Sequence, residues 1–338
     1  MDEALTFDDV LIEPGYSDII TRSHIDLAQD DFLGLRLLTP IISANMDYVT
    51  GYEMASEMWN CGGLGILNRF QSWEEQDDAI MNLYQHGKPA FISVGTRDID
   101  ETMRHINQVE YQIKGICIDI AHGHHYSVNK LIREIRDNYG PGMPVIAGNV
   151  ATEDGFKFLA DAGADAIKVG IGPGSVCTTR SVTGVGVPQF TAIQRAWNAS
   201  LGYDNIKIIA DGGIKNSGDI VKALAIGADA VMLGSLLAGT DECPGETRVA
   251  PDNSHWRPYQ GQSIFGVNET KYTPEGISGW VKSKGPVANV LKQLAGGIRS
   301  GMSYVGARNI KELQDRAKFV RVSSYAHIES GTRIVQDF

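Results

Sequence analysis

Cysteine is scarce. The chain has four in 338 residues, Cys61, Cys117, Cys177 and Cys243, with neither the paired spacing of a zinc site nor the density of a disulfide framework. A reducing cytoplasm is therefore the expected compartment. Apolar runs of membrane-spanning length are missing, and the acidic opening MDEALTFDDV is unlike a signal peptide, so no membrane partner is expected. Positive charge is in deficit, with 30 Lys and Arg against 41 Asp and Glu and a formal net charge of -11. Nucleic acid is excluded as a general partner, because replacing phosphate counterions takes clustered Lys and Arg. Any phosphate must be held locally.

What the sequence does contain is rhythm. Eight short apolar runs recur: PIISANM, GGLGIL, AFISVG, IKGICIDI, PVIAGNV, AIKVGI, IKIIADGG and AVMLGSLL. Such near-continuous runs suit parallel strands buried on both faces, and the gaps between them are of crossover size. Ser72 and Glu75 have the spacing of a capping box, and Val128, Leu131, Ile132 and Ile135 line one helical face behind Ser127. Gly163 and Gly227 stand where helices should end, each opening a similar phrase, GADAIKVG and GADAVMLG. Eight βα units closing on themselves give an α/β fold of the (β/α)8 barrel type, with active-site loops after the strand C-termini. The expected organisation is one catalytic barrel over residues 1–338, with a long lid at 239–283 and a polar C-terminal tail at 318–338.

The chemistry gathers after the strands. Cys61 and Cys117 sit in apolar surroundings and read as small buried hydrophobes. Cys177, in VGIGPGSVCTTR, follows a strand within a glycine loop, a setting that suits a nucleophile as well as a buried thiol. ADGGIKNSGD and MLGSLLAG follow the seventh and eighth runs, where barrels commonly bind phosphate through backbone N–H groups. Asp211 precedes the first of these glycine loops and is placed to accept hydrogen bonds from a ribose. DIAHGHHYS brings Asp119, His122, His124 and His125, but without a paired carboxylate or cysteine this spacing is poor for zinc. From the residues alone Glu275 reads as a loop surface charge.

GIGPGSVCTTR with TGVGVPQ, AGNVAT, ADGGIKNSGDI, MLGSLLAG and GGIRSGMSYVGA resembles the family of IMP dehydrogenases and GMP reductases, from LTFDDVLI to FVRVS. The resemblance implies that Cys177 attacks C2 of a purine nucleotide, with Thr179 and Glu275 as its proton-handling pair and the N–H dipoles of the glycine loop favouring the thiolate. It implies a GMP or IMP site built from Ser43, Met46, Asn149, Ser175, Asp211, Gly213, Gly234, Ser235, Tyr259, Gly261, Gln262 and Ser263. Asp119, Ala121, His122, Gly170 and Gly172 would meet a nicotinamide cofactor. Potassium would be held by carbonyls of Gly172, Gly174 and Cys177, with Glu329 and Ser330 of the partner subunit, in a homotetramer.

Within the family the sequence leans to GMP reductase, which uses NADPH to convert GMP to IMP and ammonia through a covalent Cys177 intermediate, with NADH an alternative donor. Asn45 before Met46-Asp47 is reductase-like, the lid lacks the Arg-Tyr pair with which dehydrogenases activate water, and no CBS-type regulatory pair interrupts QHGKPAF. Other features pull the opposite way. GGLGIL and the tail HIESGT resemble dehydrogenases, YQGQS replaces the reductase YGMSS so that Gln262 stands in place of methionine, and Tyr272 or Lys271 replaces an arginine ahead of the lid glutamate. The alternatives are a dehydrogenase without CBS domains, converting IMP and NAD to XMP, a reductase acting on an unusual purine, or a nucleotide-binding barrel without catalysis.

Overall fold

In a computed structural model, the described residues are 3–261 and 274–330. Eight parallel strands close into a barrel: β1 (Ile41–Ser43), β2 (Leu64–Leu67), β3 (Ala90–Val94), β4 (Ile113–Asp119), β5 (Val145–Val150), β6 (Ala166–Val169), β7 (Lys207–Asp211) and β8 (Ala230–Leu233). They are the eight runs read from the sequence. Closure comes from β8 on β1, with Val231 opposite Ile41 and Met232 opposite Ile42. Every residue of β3 is buried, as is every residue of β2, β6 and β8. A side chain on such a strand faces either the barrel interior or the helical ring, so both periods of the pleat are apolar.

The helices begin and end where the local chemistry dictates. Ser72 caps Trp73–Gln85 and Glu75 returns the bond to the Ser72 backbone, giving the reciprocal box. The helix Tyr126–Tyr139 buries Val128, Leu131, Ile132 and Ile135, but its cap is His125, not Ser127. The His125 ring Nδ1 accepts the Ser127 N–H at 3.2 Å, so Ser127 lies inside the first turn. Gly163 ends Glu153–Ala162 at φ +107°, and Gly227 follows the end of Ser217–Ala225 at φ +121°. A Cβ on Gly227 would also come within 2.6 Å of the Trp197 indole, which makes this joint doubly a glycine position.

Two additions flank the barrel. The lid carries an antiparallel sheet of Arg248–Val249, His255–Gln260 and Ser278–Lys282, a feature its turn-rich sequence did not announce. In the tail, Phe319–Arg321 pairs antiparallel with Val10–Ile12, returning the chain to its N-terminal segment. Among the described residues no helix is long and apolar enough to cross a membrane.

Candidate active site

The loops beyond the strand C-termini enclose a cavity of about 420 Å³. The loop that carries Cys177 is fixed first at its root. Gln189 donates from Nε2 to the carbonyls of Val169 at 2.8 Å and Asp211 at 3.1 Å, tying the ends of β6 and β7 together. Gly170 adopts φ +150°, and a Cβ there would lie 2.1 Å from the Asp211 carbonyl oxygen. Only glycine lets the loop leave β6 so close to β7. Further along, Arg180 donates to the carbonyls of Ile171 and Val187, and its stem fills the space beside Gly172 and Gly186. The glycine run therefore folds around a half-buried arginine as well as around the cavity.

The thiol faces a proton path. The Cys177 Sγ–H donates to Thr179 Oγ1 at 3.2 Å, and the Thr179 hydroxyl donates to Glu275 Oε2 at 2.9 Å. Glu275 arrives from the lid, and the main chain holds it there. Thr178 N–H donates to the Glu275 carbonyl at 3.0 Å and Ile277 N–H to the Val176 carbonyl at 3.0 Å, a short antiparallel bridge centred on Cys177 and Gly276. Gly261 N–H in turn donates to Ile277 at 3.0 Å. Because the Thr179 proton is committed to a carboxylate, its lone pairs are left to accept, first from the thiol.

Deeper in the barrel lies a charged cluster. Lys168, only 2% exposed, projects from β6 and places Nζ 2.5 Å from Asp119 Oδ1 and 3.3 Å from Asp211 Oδ2. Asn149 donates to Asp211 Oδ2 and to the Gly170 carbonyl, both at 2.9 Å. Arg69 Nε donates to the Asp119 carbonyl at 3.0 Å and stands 3.8 Å from its Oδ2. Burial pushes the Asp119 carboxyl up, yet the charges of Lys168 and Arg69 outweigh it and hold it below the ordinary carboxylate range. Burial likewise pushes the Lys168 ammonium down, and Asp119 and Asp211 more than restore it, so it stays charged. Both carboxylates face the cavity.

Most of the residues named from the sequence meet on that wall. Cys177, Thr179, Glu275, Met46, Asn149, Ser175, Asp211, Gly213, Gly234, Ser235, Tyr259 and Gly261 line it, together with Asp119, Ala121, Gly170, Gly172 and Gly174. Ser175 Oγ and Tyr259 Oη stand 3.3 Å apart, joining the cysteine loop to the lid next to the glycine loops of β7 and β8. Ser43 is elsewhere. It is fully buried at the end of β1, where its Oγ accepts from Thr50 at 2.8 Å, and its neighbours Ala44 and Met46 reach the cavity instead. His122 does not line the cavity either. Gln262 and Ser263 lie outside the described residues, as do Lys271 and Tyr272.

The other expectations divide. Among the described residues no group of three or more His, Cys, Asp or Glu side chains could hold a metal ion. His124 packs on Phe158 at 4.7 Å between ring centres, and His125 is spent on its cap. Of the potassium carbonyls, that of Gly174 accepts the Cys177 N–H at 3.1 Å, which leaves it a second lone pair. Ser330 lines a neighbouring cavity that shares Asp8 and Lys215 with the first, and it is not on the wall that holds Cys177. Burial raises the Cys117 thiol to about 12 and the Cys61 thiol to about 11, so neither competes as a nucleophile. Lys168, Arg69 and Arg180 are given no role by the sequence reading. A lysine within the apolar run AIKVGI was the available signal, since a strand buried on both faces admits a charge only against a partner.

Comparison with known proteins agrees with this geometry. The IMP dehydrogenase / GMP reductase domain matches residues 4–333. An inosine-5'-monophosphate dehydrogenase of Aquifex aeolicus is 54% identical over 241 residues, 68% of this chain and 49% of that protein. In that match the chain spans about half the length of its relative. The enzyme of the same name from Cryptosporidium parvum is 37% identical over 99% of this chain and 96% of its own. That from Bacillus subtilis is 33% identical over 99% and 96%, in an alignment of 473 residues, so the relative carries segments with no counterpart here. With the barrel, the thiol loop and this similarity over nearly its whole length, the chain belongs to the IMP dehydrogenase / GMP reductase family.

Proposed function

We propose that the chain is an NAD-dependent IMP dehydrogenase, a reading that replaces the reductase assignment favoured by its sequence. The observation that carries its covalent chemistry is the path from Cys177 through Thr179 to Glu275 at the mouth of the barrel. The reductase assignment rested on Asn45, on the missing Arg-Tyr pair and on the likeness of AFISVG, DIAHGHHYSV and NRFQSWEE to a bacterial branch of reductases with no CBS-type pair at QHGKPAF, whereas the relatives named above, one of them 54% identical, are IMP dehydrogenases. The same three side chains can serve water activation without that pair.

In this reading the nucleotide phosphate rests among Ser175, Gly213, Gly234, Ser235 and Tyr259, and Asp211 accepts the ribose hydroxyls. Cys177 gives up its proton to solvent, and the thiolate adds to C2 of the purine. A nicotinamide dinucleotide, when bound, supplies the acceptor for the hydride that leaves C2. The residues present fit such a group, because Asp119 is held ionised on the cavity wall beside Ala121, Gly170 and Gly172, whose small or absent side chains leave room. The product of that step is a thioimidate between C2 and Cys177 Sγ. Water then adds to C2, Thr179 accepts its proton while giving its own to Glu275, and the C2–S bond breaks to release XMP and regenerate the thiol. A cytoplasmic homotetramer with potassium at the cysteine loop belongs to the same reading.

GMP reduction remains the second reading, favoured by one feature. Asn45 is 1% exposed and its side chain helps to favour the charged form of Asp119, so a residue typical of reductases sits at the cofactor end of the cavity. Purified protein given IMP with NAD, and separately GMP with NADPH, separates the two. XMP formed over many turnovers supports the dehydrogenase, and IMP with ammonia supports the reductase.

A further inference from the structure

Lys168 has no part in the proton path, yet it is the most deeply buried charge in the molecule's active end. We propose that Lys168 is a positioning residue shared by the two ribose subsites, one ammonium holding Asp119 and Asp211 as an ionised pair and transmitting a change at one carboxylate to the other. The proposal deepens the function given above, since it takes Asp211 as the acceptor for the nucleotide ribose and Asp119 as that for the nicotinamide ribose.

Three observations support it. The ammonium lies between carboxylates from strands three apart in the barrel, Asp119 at the end of β4 and Asp211 at the end of β7, at 2.5 and 3.3 Å. Space for its stem is built into the neighbouring strand. Gly148 pairs with Lys168 in the β5–β6 register, and a Cβ on Gly148 would approach the Lys168 Cβ to 2.6 Å. The carboxylates are otherwise unequally served. Asp211 also takes the Asn149 amide, and Asp119 the more distant Arg69 with the side chain of Asn45. The other titratable group facing the ammonium is the buried Cys117 thiol, which burial keeps protonated. Two carboxylates within reach of one buried cation compete for it. A change that neutralises Asp119 releases Lys168 to Asp211, occupies the Asp211 oxygen, and weakens its bond to the nucleotide ribose.

A purely structural lysine would keep the barrel packed without linking the two carboxylates. The test therefore uses carboxyl carbon NMR titration of Asp119 and Asp211 in the ligand-free protein, alongside calorimetric IMP binding. Lys168→Met should move proton uptake by one of the two carboxylates at least about one pH unit upward, a tenfold change in proton affinity. Should that variant fail to fold, Lys168→Gln carries the same question, with the same upward movement expected. Unmoved titrations overturn the proposal. In IMP binding, Asp119→Asn should raise the dissociation constant about three- to tenfold with Lys168 present and less than twofold with Lys168→Met. Equal effects in both backgrounds also overturn it. Failure of the parent protein to bind IMP would instead overturn the functional reading, and the ligand-free titrations would still decide the role of Lys168.

Discussion

Thr179 and Glu275 lie 96 positions apart in the chain, yet the hydroxyl of one donates to the carboxylate of the other at 2.9 Å. The lid reaches the thiol loop through backbone pairing on both sides of Cys177, so this bond is a property of the closed main chain and not of two flexible side chains. If the pair handles the proton of the attacking water, Glu275→Gln keeps the shape of the bond and removes the base. Steady-state turnover should fall about 10²- to 10⁴-fold, the range of general-base catalysis. The first turnover of reduced cofactor should survive near its normal rate, giving a burst equal to the number of sites in rapid mixing. Equal losses in burst and steady state would mean that Glu275 only holds the lid.

Cys177→Ala should abolish turnover and leave the IMP dissociation constant within a few-fold, because most of the phosphate contacts belong to the loops after β7 and β8 and none of them uses the thiol. Calorimetry beside a rate assay checks both halves. Multiple turnover by the variant would remove covalent catalysis.

Asp211→Ala strikes the nucleotide. A hydrogen bond to a charged group contributes about 1.5–3 kcal/mol, so affinity should drop roughly 10- to 100-fold. The hydride step at saturating IMP should change far less. Normal affinity with slow hydride transfer would show that Asp211 does not meet the ribose.

Much of this was readable in the chain itself. The eight strands were legible because each is a continuous apolar run, and the Ser72–Glu75 box because its bonds span three residues. The capping role of His125 was not legible, because its ring nitrogen meets the Ser127 N–H only once the loop ahead of the helix is folded. The lid sheet was invisible because its strands alternate with turns and pair across a long insertion. Lys168 was hidden for a related reason: its meaning depends on Asp119 and Asp211, 49 and 43 positions away, which only barrel closure brings together. Ser43 shows the converse, a motif position whose side chain turned to Thr50 inside the barrel wall.

His105 gives the fold a pH dependence independent of catalysis. It is 3% exposed, stacks on Trp73 at 4.0 Å and hydrogen-bonds Gln76 at 3.0 Å. Burial pushes its imidazole below the ordinary value, with Asp77 at 3.6 Å opposing. The unfolded chain therefore binds this proton more readily than the folded one. The contribution is fully present above the unfolded pKa of about 6.5 and is lost as pH falls through the lowered folded value. Urea midpoints should decline over that window, and His105→Gln should flatten the slope there. A variant as acid-sensitive as the parent would contradict this.

The most direct measurement is product analysis with IMP and NAD in a potassium buffer, set beside GMP and NADPH. The dehydrogenase assignment requires XMP and reduced cofactor in equal amounts over many turnovers, both lost in Cys177→Ala. Oxidation of NADPH with release of IMP and ammonia from GMP, and no XMP from IMP, would contradict it and return the chain to the reductases.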